Sequence, residues 1–277
     1  MGRFARGRRV LARSVGLLRR EPSLFVLPVA SAVAVLAVLG VPLAVALGVD
    51  ALTVDALVDA FTERTEPLRY ALLFPALFVG TAVATLFNAA LAHCTYRLLA
   101  GEETSLRDGL GAAWAVRRRI VAYSLLAATV GLLLQLLEDA IPGGGRVTAL
   151  VLDLGWGLLT FFVVPVMVLE DVSLRGLFAE SGRTFADTWG ESTTAAVGIG
   201  TVVLAVGLVP MLVAAVVGLD LAGVWGAFAG VAVVLAAVMT VSSALGTVAR
   251  TMLYVHARDG GTDSGLDGLH PPTLLGE

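Results

Sequence analysis

Lysine is missing from this chain altogether, so all 19 basic residues are arginine. Cysteine occurs once, at Cys94, which excludes an internal disulfide framework and leaves a thiol that reads as a small packing residue. Charge is scarce: 15% of residues carry it, where a soluble domain carries roughly a quarter. A hydrated surface all round is thereby excluded, and much of the surface must face lipid. Alternation of polar and apolar residues is also lacking, which argues against a transmembrane β-barrel. So are the motifs of chemistry. There is no HExxH, no CxxC, no Walker loop, no GxSxG elbow and no Rossmann fingerprint, and the triple glycine at 143–145 reads as a short turn. No enzyme, cofactor, metal site or nucleic-acid partner is expected.

What is present is apolar length. Hydrophobic residues make up 57% of the chain, and mean hydropathy is +0.88. About 20 apolar residues cross the roughly 30 Å hydrocarbon layer as a helix. Six stretches qualify, at 24–48, 70–92, 120–137, 147–169, 194–219 and 221–249. The fold class expected is all-α: a polytopic bundle of six transmembrane helices over residues 1–257, followed by a disordered cytoplasmic tail at 258–277, rich in Gly, Asp and Pro. The first stretch follows a basic leader but is too long for a signal-peptide core of about 7–15 residues, so it reads as a retained span. Pro210 lies mid-span and predicts a kink in the fifth helix.

The arginines divide by side. Arg3, Arg6, Arg8, Arg9, Arg13, Arg19 and Arg20 precede the first span. Arg97, Arg107, Arg117, Arg118 and Arg119 fall in the second loop, Arg175 and Arg183 in the fourth, and Arg250 and Arg258 at the C-terminal end. Only Arg64, Arg69 and Arg146 fall on the other side. The positive-inside bias puts both termini in the cytoplasm of a multi-pass cell-membrane protein.

Three of these basic segments are amphipathic, and each precedes an odd-numbered span. Phe4, Leu11, Val15 and Leu18 share one helical face; so do Leu106, Leu110, Ala113 and Trp114; so do Leu174, Leu177, Phe178, Phe185 and Trp189. Short interfacial helices are expected there, apolar side down and arginine outward. The chain then reads as three units of interfacial helix plus two-span hairpin. Arg6, Arg9, Arg13, Arg117, Arg118 and Arg119 are candidate contacts for anionic lipid headgroups. A docking surface for a cytoplasmic partner is the sharper alternative.

Ionisable groups at membrane depth are default functional suspects. Asp153 is the clearest, with Gln135 and Glu138 at similar depth on the preceding helix; the three define a candidate outer-side polar cavity. The alternative for Asp153 is an interfacial carboxylate reaching headgroup water beside Trp156. Asn88, His93 and Thr95 read as interhelical hydrogen-bonding groups, with Ser242, Ser243 and Thr247 in the same role. Gly223, Gly226 and Gly230 share one face and predict close packing, within the chain or across a homodimer.

Several stretches resemble an uncharacterised prokaryotic six-span membrane family, domain of unknown function 6159. They are ARSVGLLRREPSLFVLPVASA (12–32), FNAAL (87–91), LLAATVGLLLQLLE (125–138), TFFVVPVMVLED (160–171) and the segment 177–191 ending in TWGE. The resemblance implies six spans with cytoplasmic helical connections, and no activity, substrate or cofactor. The function expected is therefore non-enzymatic: organising or assisting in the membrane through contacts with lipid or a protein partner. A small-solute or ion transporter built on Asp153, Gln135 and Glu138 is the alternative.

Overall fold

A computed structural model describes residues 3–47, 66–141 and 145–258, and every regular element among them is helical. In chain order these are α1 (Arg3–Arg20), a 3-10 turn (Pro22–Phe25), α2 (Val26–Leu47), α3 (Glu66–Leu99), α4 (Leu106–Ala115), α5 (Arg117–Ala140), α6 (Gly145–Leu159), α7 (Val163–Leu169), α8 (Leu174–Asp187) and α9 (Trp189–Arg258). The acidic run Asp50, Asp55, Asp59 and Glu63, and the tail from residue 259, lie outside the described residues.

The short helices start where the sequence supplies caps. Ser105 opens α4 with a capping box: its hydroxyl accepts from the Asp108 N–H at 3.2 Å, and the Asp108 carboxylate accepts from the Ser105 N–H at 3.1 Å. Ser173 caps α8 by accepting from the Gly176 N–H at 3.2 Å. Pro22 follows the last residues of α1, and the chain bends by 98° before it enters α2.

Among the described residues, four helices are long and apolar enough to cross a membrane: Leu73–Leu99, Arg117–Ala140, Gly145–Leu169 and Gly207–Arg258. The bent pair Ala12–Arg19 and Pro22–Val38 is a fifth if taken as one span. The fifth and sixth expected spans fall within a single 70-residue element, α9. That element is a hairpin. Ala222 and Gly223 leave helical geometry, and Gly223 takes φ +65°, ψ −153°, a conformation that only glycine adopts freely. Beyond it the chain doubles back. A Cβ on Gly226 would overlap the Gly218 carbonyl, and one on Gly230 would come within 2.7 Å of the Ala214 carbonyl oxygen. In one straight helix, residues eight apart are about 12 Å apart. Gly226 and Gly230 thus do pack a neighbouring helix, but Gly223 is the turn rather than part of that face. The first limb of the hairpin occupies that face.

A second departure concerns proline. Backbone dihedrals stay helical through Pro210, and the non-helical ones in α9 are at Ala222 and Gly223. The break falls instead before Pro165, in the fourth expected span, which separates into α6 and α7 around Thr160–Phe162. Proline there removes one intrahelical bond and clashes with the preceding turn. The Phe162 N–H donates instead to Ser181 Oγ at 3.0 Å, a buried hydroxyl on α8.

Ser181 shows where the amphipathic helices go. All three predicted helices exist, but each is docked against the bundle rather than lying beside it. Leu177, Ser181, Thr184 and Phe185 bury one face of α8, and Phe185 meets Phe161 edge-on at 5.4 Å. Val10, Ser14 and Leu18 of α1 are buried, and α1 packs chiefly on α9, where the Ser14 hydroxyl lies 3.5 Å from Met252 Sδ. Gly109 and Ala113 seat α4 on α3, with the buried Cys94 thiol donating to the Ser105 carbonyl at 3.6 Å. First and last elements are thereby joined. The core collects at the arginine-rich end, around Leu91, Phe162, Met167, Leu177, Val248 and Leu253.

Candidate lipid-contact site at the arginine-rich end

The run Arg117-Arg118-Arg119 sits at the junction of α4 and α5, and its members part company. Arg119 turns inward. Its guanidinium donates to the carbonyls of Glu170 at 2.7 Å and Met167 at 3.4 Å, and pairs with the Asp171 carboxylate. Those carbonyls close the C-terminal end of α7, where unpaired acceptors and the helix dipole both favour a cation. Arg119 is thus a clamp between α5 and α7, with both of its Nη atoms engaged within the chain. Beside it Glu170 accepts from the Tyr254 hydroxyl and from Arg258, each at 3.1 Å, which ties the end of α9 to the same point.

Arg117 and Arg118 stay exposed. Arg117 lies over the Trp114 ring at 5.6 Å and donates to the Trp114 carbonyl at 3.1 Å. Trp114 itself is 60% exposed and Leu110 is 37% exposed. The face expected to hold Leu106, Leu110, Ala113 and Trp114 together is therefore split. Gly109 and Ala113 point at α3, while Leu110 and Trp114 point outward with Arg107, Arg117 and Arg118 around them. Between this junction and the end of α7 runs a cavity of about 480 Å³, lined among others by Arg118, Arg119, Glu170 and Asp171. Arg13 is half-buried on α1, and the side chains of Arg6 and Arg9 lie outside the described residues.

The outer-side residues do not converge. Asp153 is exposed on α6 and has no hydrogen bond or ion pair to Gln135 or Glu138. Gln135 reaches along its own helix to Asp139 at 3.5 Å, and Asp139 accepts from the Tyr70 hydroxyl at 2.7 Å. Glu138 is exposed, and its carbonyl contacts Gly145 where α6 begins. Trp156 faces α8, 5.7 Å from Phe178. The mid-span polar residues do meet: Ser243 and Thr247 donate to Asn88 Oδ1 at 3.2 and 3.1 Å, joining α9 to α3. Thr95 bonds only its own helix, at Leu91 O, 2.8 Å away.

The sequence reading missed Glu170 as a hub, since a carboxylate at a helix end looks like any solvated one. Among the groups outside the apolar helices, Asp108 is held below the ordinary aspartate value by the Ser105 hydroxyl and then by the Ser105 N–H.

The class is all-helical among the described residues, with four helices long and apolar enough to cross a membrane. Within that class the chain belongs to the family of unknown function DUF6159, whose family model matches residues 67–264. The match reaches further towards the C-terminus than the resembling stretches do, and the N-terminal stretch 12–32 lies outside it. Neither a search of curated proteins nor one of solved structures finds a match.

Proposed function

We propose that this is a non-enzymatic, six-span membrane protein with both termini in the cytoplasm, which organises or assists in the membrane by binding anionic headgroups at its arginine-rich end. Six spans follow if the bent pair at 12–38 is one span and the reversal at Gly223 divides the last apolar helix in two. The observation that carries the functional reading is the outward face of α4. There Leu110 and Trp114 remain exposed beside Arg107, Arg117 and Arg118, although α4 had a bundle to bury them in. An indole flanked by guanidinium groups suits the headgroup layer, where the ring sits among ester groups and arginine holds phosphate in bidentate fashion. Arginines near an anionic surface contribute about 1 kcal/mol each. The transport reading needs Asp153, Gln135 and Glu138 around one cavity; Asp153 is exposed and has no partner among the described residues, which favours the headgroup-water reading instead.

The test is lipid retention together with sidedness. Native mass spectrometry of the gently extracted protein should show anionic phospholipid retained over zwitterionic phospholipid. A Trp114→Ala, Arg117→Gln, Arg118→Gln variant should lose that preference; an unchanged preference would sink the reading. In intact cells an impermeant thiol reagent should label an Ile141→Cys variant and spare Ala115→Cys. The opposite pattern would reverse the orientation.

A further inference from the structure

Away from the arginine-rich end, Arg250 has no ion pair among the described residues, and it is exposed on the flank of its helix. Arg250 lies on the second limb of α9, eight residues before Arg258, hence about 12 Å short of the Glu170–Arg258 contact. Helical side chains lean towards the N-terminus of their helix. On this limb that direction leads away from the arginine-rich end. Arg250 follows it: its Nη2 comes within 3.9 Å of where a Gly246 Cβ would stand, a full turn deeper. Snorkelling towards the cytoplasmic surface is the usual escape for such a group, and the rotamer is turned the other way.

Nothing among the described residues neutralises it. The guanidinium carries five N–H donors, and none has an acceptor among the described residues. It forms no ion pair there, and the ionisable group whose field reaches it is the Tyr123 phenol, uncharged at neutral pH. One side is covered by the Phe161 ring, 4.9 Å from the guanidinium carbon, at the break between α6 and α7. That leaves the donors at the ring edge open. They face a cavity of about 200 Å³ between the two limbs of α9, lined by Phe161, Gly200, Ser242 and Gly246 among others. Ser242 adds a hydroxyl with no hydrogen-bond partner among the described residues, two turns along the same face.

The cavity also has a direction. Ala196 and Gly200, both part of its lining, are exposed, and next to them Val197 and Leu204 are 64% and 66% exposed. It opens sideways onto an apolar flank. In the membrane reading above, the guanidinium lies about 12 Å or more to the bilayer side of the Glu170–Arg258 contact. An unpaired cation with free donors, a cavity one headgroup wide and an apolar track leading away from it fit a single kind of occupant.

We propose that the Arg250 cavity binds the phosphate diester of one phospholipid, entering from the bilayer, with its acyl chains along Val197 and Leu204. This rests on the membrane reading above but not on the α4 surface, and the two are separable. The experiment is a native mass spectrometry titration of the full chain with dioleoylphosphatidylglycerol. Wild type should hold one lipid tightly. Arg250→Gln should weaken that lipid about tenfold or more, and Ala196→Leu, which fills the mouth at an exposed position, should do the same with an unchanged thermal unfolding midpoint. The Trp114→Ala, Arg117→Gln, Arg118→Gln variant should keep it. Equal retention by wild type, Arg250→Gln and Ala196→Leu would overturn the proposal. So would loss in the α4 variant alone, which would uphold the surface reading by itself. Displacement of the lipid by inorganic phosphate would reassign the site to a free anion and overturn the lipid source. Should Arg250→Gln fail to fold, Ala196→Leu carries the test.

Discussion

The second limb of α9 is one helix living under two regimes. From Val224 to Met239 it shows its large side chains outward, Val233 at 70% exposure. From Ala244 to Tyr254 all but Arg250 are buried, and α1, α3, α7 and α8 close around it. The helix α6 repeats the first regime, with Leu150, Val151, Leu152 and Leu154 exposed, and α7 repeats the second. The difference teaches what each half packs against. Lipid tails solvate leucine and valine as well as another helix does, so in the apolar half there is no hydrophobic gain from helix association. Close contact there includes places where backbones approach, as at Gly218 and Gly226. At the arginine-rich end, which the proposed placement sets among headgroups and water, burying Phe162, Leu177 and Leu253 is favourable in the ordinary way. The amphipathic helices supply that burial.

Breaking the sparse contact in the apolar half should have the largest effect. Gly226→Leu drives a side chain into the Gly218 backbone, and overpacking of this kind costs about 1–3 kcal/mol where neighbours can shift. Two backbones cannot shift easily, so a loss of at least about 3 kcal/mol is expected, seen as a collapse of folded yield in detergent. Val216→Ala, on the exposed face of the first limb, should stay within about 0.5 kcal/mol of wild type. If both behave alike, the hairpin contact is not what holds this half together.

Next comes the packed half. Arg119→Ala strands the Glu170 and Met167 carbonyls and should cost about 1–3 kcal/mol in thermal unfolding. Asp171→Asn should cost at most about 1 kcal/mol, since Asp171 is 99% exposed and its pairing is screened by water. Equal effects would shift the weight from the α7 carbonyls to the salt bridge. Asn88→Leu removes the acceptor shared by Ser243 and Thr247, and about 0.6–1.7 kcal/mol is expected from such interhelical bonds.

The smallest effect is local and depends on pH. The folded state holds Asp108 below its ordinary value of 3.8, so it favours the carboxylate. The capping contribution is fully present above that ordinary value and is lost as pH falls through the lower folded one. Hydrogen-exchange protection of the first turn of α4 should drop over that range in wild type. In Ser105→Ala it should already be low and flat; an equally steep drop there would remove Asp108 from the explanation.

By itself the sequence determined the all-helical class, the apolar segments and the three amphipathic helices, because each depends on composition or on a 3.6-residue period along one stretch of chain. It also marked the capping box at Ser105 and the polar character of Asn88. Tertiary structure decided what each exposed-looking group faces. Arg117 and Arg119 are two residues apart in one basic run, yet one covers an exposed indole and the other caps a distant helix. Gly223 and Gly226 share a helical spacing that the chain reversal at Gly223 dissolves. The helix breaks just before Pro165, where the Phe162 N–H finds Ser181, and runs on through Pro210. Periodicity is a local property of the chain, whereas partners 50 to 150 residues away belong to the packing.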